Sequence, residues 1–78
     1  MTPPFEAELE LISYRKIPSW TFRFRDTASG EIYFLSRPDF MALVRSGALL
    51  PFNRVRGLWE PVPFRHGSFV RPVRVYGA

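Results

Sequence analysis

Residues 5–11 alternate without a break. Phe5, Ala7, Leu9 and Leu11 point one way, and Glu6, Glu8 and Glu10 the other. A period of two over seven residues predicts a half-buried strand. The phase slips at Leu11–Ile12, which predicts a bulge or the strand's end. Pro18 punctuates the next stretch. Alternation then resumes, with Trp20, Phe22 and Phe24 on one face and Thr21, Arg23 and Arg25 on the other.

Residues 26–30 (Asp-Thr-Ala-Ser-Gly) are turn chemistry, and residues 31–35 read as a returning strand. The pattern leaves the register of this hairpin open by one residue. Either Ile32 and Phe34, or Tyr33 and Leu35, share the face of Phe22 and Phe24.

Ser36, Pro38 and Asp39 mark a helix start: a capping residue, a proline in the first turn and an acid at the positive end of the dipole. Phe40, Leu43 and Val44 share a face, with Met41 beside them. Arg45 and Gly47 suit the helix's end. Beyond residue 48 the chain is strand-like but interrupted by Pro51, Pro61, Pro63 and Pro72. Short strands are expected over 54–59 and 62–64, a tight turn at 65–67, and a last strand over 68–76. In that last strand Phe69, Val73 and Val75 are expected inward, Arg74 and Tyr76 outward. The elements run β-β-β-α-β-β, an α+β domain. About five strands form a small antiparallel, partly barrel-like sheet with one short helix. Residues 1–78 form one domain, frayed over 1–4 by Pro3 and Pro4.

Composition narrows the chemistry. The 78 residues contain no cysteine, which excludes disulfides, thiolate metal sites and a thiol nucleophile. One histidine and two aspartates make a His-rich metal site or a complete catalytic triad hard to build, and no cofactor is implied. No apolar run approaches the roughly 18 residues of a membrane span, and no secretory leader is visible. A cytoplasmic, non-secreted protein is the expectation. Thirteen aromatic rings are many for one small core to hide, which raises a homodimer or an exposed aromatic surface as possibilities.

The formal net charge is +4. It is unevenly placed: residues 40–78 hold six arginines against Glu60 alone. Ten of the eleven basic residues are Arg. Arginine stacks on rings and binds carboxylate or phosphate bidentately, and it is enriched with Trp and Tyr at interfaces. A bias in genomic base composition gives the same skew.

Three patches are candidates for binding a partner or nucleic acid. Arg54 and Arg56 lie near Trp59, a stacking ring unless it belongs to the core. Arg65 and His66 sit at the expected turn. Arg71, Arg74 and Tyr76 lie on the last strand. Arg54, Arg56 and Arg74 should be exposed on one side, and the patch fails if each is locked to an acid. His66 near Ser68 invites a general-base reading, but no second acid–base group is placed, so no enzyme is expected. Arg23 and Arg25 are expected to be consumed by Glu6, Glu8 and Glu10 across the sheet, pairs worth roughly 0.2–1 kcal/mol.

The leading expectation is a non-enzymatic basic module that docks on a protein of a nucleoprotein machine. Small inhibitors of phages or mobile elements, such as those that block CRISPR complexes or RNA polymerase, share its size and composition. The alternative is sequence-tolerant nucleic-acid binding by a basic, aromatic sheet surface.

Overall fold

A computed structural model describes residues 3–47, 53–62 and 68–76. Five strands and one helix follow in the expected order: β1 (Phe5–Arg15), β2 (Thr21–Asp26), β3 (Ile32–Ser36), α1 (Arg37–Ser46), β4 (Arg54–Pro61) and β5 (Val70–Tyr76). They form one antiparallel sheet in the order β3-β2-β1-β4-β5. The sheet is not closed. It curls until its two edges meet at a parallel bridge, Phe34 with Phe69, where the Phe34 N–H donates to the Ser68 carbonyl at 2.9 Å.

The slip at Ile12 is a bulge. Leu11 faces Phe24 and Ser13 faces Arg23, so Ile12 is the extra residue and β1 runs on to Arg15. The hairpin register is also fixed: Phe24 opposes Tyr33 and Phe22 opposes Leu35. Tyr33 and Leu35 therefore share the core face, and Phe34 lies on the outer face beside Arg23. Gly30 takes φ 81° in the turn, a left-handed conformation that a side chain disfavours.

The core comprises Leu9, Phe22, Phe24, Leu35, Leu43, Val55, Trp59 and Val70. Each such side chain contributes on the order of 1.5–3 kcal/mol on full burial. Helix α1 covers one end, with Phe40 stacked on Phe22 at 3.8 Å between centroids. Gly47 takes φ 71° and ends the helix, donating its N–H to the Val44 carbonyl. Ser36 occupies the N-cap position, but its hydroxyl donates to Asp39 instead of accepting a backbone N–H.

Three inward expectations need correction. Val44 is exposed, because α1 turns Leu43 and Phe40 to the sheet and leaves Val44 at the rim. Val73 is exposed because a second bulge makes it the extra residue: Leu58 faces Arg74 and Trp59 faces Pro72. Phe69 packs against Phe34 on the outer side. Of the expected strand at 62–64, Val62 lies just past the end of β4, and residues 63 and 64 fall outside the described residues, as does the turn at 65–67.

Candidate functional site

The anticipated arginine patch lies on the outer face of β4 and β5. Arg54 and Arg56 alternate there with buried Val55 and Gly57. Arg71 opposes Glu60, Arg74 opposes Leu58 and Tyr76 opposes Arg56, so all share that face. Strand β1 brings its glutamates to the same surface: Glu6 opposes Leu58, Glu8 opposes Arg56 and Glu10 opposes Arg54. Arg54 is 3.3 Å from Glu10 and Arg71 is paired with Glu60. The Tyr76 hydroxyl donates to Glu6 at 3.0 Å. Glu6, Glu8, Glu10 and Glu60 thus stand among Arg54, Arg56, Arg71 and Arg74. Arg54, Arg56 and Arg74 are exposed on one side as expected, and Arg56 and Arg74 carry no ion pair among the described residues, although four glutamates stand among them.

Its electrostatics follow from these contacts. Hydrogen bonds from Arg25 and then Arg54 hold the Glu10 carboxyl below the usual carboxylate range. The Glu6 carboxylate accepts the Tyr76 hydroxyl proton and pushes that phenol's pKa up.

Trp59 is not a stacking ring for a ligand. It is 0% exposed, and its indole N–H donates to the Ala7 carbonyl at 3.1 Å. It takes the core alternative that the sequence leaves open. Arg65 and His66 fall outside the described residues.

A different surface has the character sought from the patch. A cleft of about 410 Å³ opens on the outer face where β1, β2, β3 and the approach to β5 converge. It is lined by Ser13, Arg15, Thr21, Arg23, Phe34 and Phe69, with Tyr14 and Pro18 at its edge. The Ile12 bulge builds it. One residue further along β1, the glutamates have ended and Arg23 faces Ser13. Of the two arginines expected to be consumed, only Arg25 is, 2.9 Å from Glu10. Among the described residues Arg15 and Arg23 have no acid partner, and no carboxylate lines the cleft.

Phe34 and Phe69, 5.5 Å apart between centroids, form its apolar wall. Arg15, Arg23, Phe34 and Phe69 do not read as one group in the sequence. The available signal was Phe34 itself, a large ring out of phase with Tyr33 and Leu35. No group of three or more acidic or histidine side chains converges among the described residues in a way that could hold a metal. No helix there is long and apolar enough to cross a membrane. Comparison with protein-family models, with curated proteins and with solved structures found no match.

Proposed function

We propose that the protein binds single-stranded nucleic acid, without strict sequence preference, in the cleft between β1, β2 and β3. The observation that carries this reading is the pairing of two unneutralised arginines with two adjacent aromatic rings, with no carboxylate in the lining. Guanidinium groups take backbone phosphates, and rings take base faces, which every base has. The outer face of β4 and β5 offers a polyanion less, because Glu6, Glu8, Glu10 and Glu60 stand among its arginines.

The connectivity adds support. A curled five-strand sheet in the order β3-β2-β1-β4-β5, with the helix between β3 and β4 and its edges meeting in parallel, has the connectivity of the OB-fold. OB-folds take oligonucleotides and oligosaccharides on the β2–β3 face between the β1–β2 and β4–β5 loops. This is a likeness of connectivity, and the functional argument rests on the cleft's residues.

The test is fluorescence anisotropy of a labelled single-stranded oligonucleotide across a salt titration. Binding at low salt should weaken linearly in log–log form, by about 0.7 per neutralised phosphate. Arg15→Ala with Arg23→Ala should cost at least about tenfold in affinity and lower the slope by about one to two. Arg54→Ala with Arg71→Ala should change it less than about twofold, since surface ion pairs carry little. Absence of binding at low salt overturns the reading.

A second reading keeps the docking module of a nucleoprotein machine, as in phage or mobile-element inhibitors. Ile17, 79% exposed in the β1–β2 loop, and exposed Tyr14 at the cleft's edge favour it. A protein partner would cover such apolar surface. It becomes the leading reading if oligonucleotides fail to bind.

A further inference from the structure

The β1–β2 loop (residues 16–20) has a second concavity on its other side, of about 340 Å³. Lys16, Trp20, Ser36 and Arg37 line it, with Pro18, Ser19 and Pro38. Pro18 also lines the first cleft, so one residue separates the two.

The chemistry repeats. The Lys16 ammonium lies over the Trp20 ring at 5.4 Å from its centroid, and the Arg37 guanidinium at 5.6 Å. Neither cation has an acid partner among the described residues. Asp39, two residues beyond Arg37 in sequence, accepts a hydrogen bond from the Ser36 hydroxyl at 3.0 Å and is not among the described lining residues. Trp20 is held by rings, at 5.8 Å from Tyr14 and 5.9 Å from Phe22. Tyr14 and Phe22 are themselves 6.2 Å apart. That is too close for them to sandwich Trp20, whose second face is covered by no ring among the described residues. Lys16 and Arg37 have long, flexible side chains that can swing from the half-buried indole onto a phosphate and leave the ring to a base.

We infer that this pocket takes a further nucleotide of the same strand, its phosphate between Lys16 and Arg37 and its base on Trp20. The inference rests on the strand-binding reading of the first cleft. It makes the site two ring-and-cation subsites joined across Pro18. Occupancy of the second then depends on ligand length.

The experiment measures anisotropy and tryptophan emission together, with a thymidine dinucleotide, a thymidine octanucleotide and thymidine monophosphate. Trp59 is buried, so a change in emission on binding reports Trp20, and a Trp20→Phe variant should abolish it. The octanucleotide should quench the emission, and the dinucleotide should bind more weakly with little quenching. Lys16→Gln with Arg37→Gln should weaken the octanucleotide by about tenfold, lower its salt slope by about one to two phosphates, and leave the dinucleotide unchanged. Octanucleotide binding with unmoved emission, equal in wild type and the double variant, overturns the second subsite and leaves the first standing. No anisotropy change with either oligonucleotide overturns both. Quenching by the monophosphate equal to that by the octanucleotide overturns the shared path, the pocket then taking free nucleotides.

Discussion

Arg23 stands opposite Ser13 across the β1–β2 ladder, two pairs beyond the one in which Arg25 meets Glu10. The bulged Ile12 separates these fates. Without it the alternation of β1 would continue in its original phase, with Ile12 and Tyr14 on the face of the glutamates.

Ser13→Glu follows from that relationship. The new carboxylate would face Arg23 in the ladder and pair with it, for roughly 0.2–1 kcal/mol of added stability. Oligonucleotide affinity should fall by about tenfold while the urea midpoint holds or rises. Undiminished affinity would show that Arg23 does not meet the ligand.

Trp59 tests the assignment of the two tryptophans. Trp59→Ala should cost about 3–5 kcal/mol, a large part of the roughly 4–12 kcal/mol available to a domain of this length. Trp59→Phe should be milder but still destabilising, because the Ala7 carbonyl loses its indole donor. Chemical denaturation of both variants checks this, and a folded Trp59→Phe should bind oligonucleotide like wild type.

Gly57 sits where β4 and β5 press together. A Cβ there would meet the Arg74 carbonyl oxygen at 2.6 Å, and a backbone atom cannot swing aside as a flexible side chain would. Gly57→Ala should destabilise by about 1–3 kcal/mol. A thermal melt within a degree or two of wild type would count against the tight β4–β5 approach.

The Glu10 contacts predict an acid limb. Its folded-state pKa is lowered, so the native protein binds its proton less readily than the unfolded chain does. The stabilisation is present above the unfolded value and is lost as pH falls through the folded one, below about pH 5. Glu10→Gln should flatten that part of a urea-stability profile against pH. Its exposure and salt screening keep the effect small, so low ionic strength is the condition of choice.

Much of the fold was legible because alternation marks strands irrespective of their partners. Phe5–Leu11 and Trp20–Phe24 each show their inner face in the sequence alone, and Ser36 to Gly47 brackets the helix. The site was less legible, for three physical reasons. Bulges at Ile12 and Val73 are single-residue register events, and only the first leaves a visible phase slip. The hairpin register that turns Phe34 outward depends on which residue opposes Phe24. The contact between Phe34 and Phe69 joins residues far apart in the chain, and neither signals the other. The arginines of β4 and β5 lie on an outer face as the alternation predicts, but the pairing of Arg54 with Glu10 depends on which strand lies beside β4.

Among the described residues β3 meets the approach to β5 at the bridge between Phe34 and Phe69, flanked by the N–H of Val62 bonded to the Phe69 carbonyl at 2.9 Å. Such a seam between two sheet edges is a place where local opening can precede global unfolding. Phe34 and Phe69 form both the seam and the wall of the cleft. A strand lying across them would hold the two edges of the sheet together and bind best while they meet. By linkage, each ligand bound there shifts the seam toward closure, and amide exchange at Phe34 should slow in proportion to occupancy.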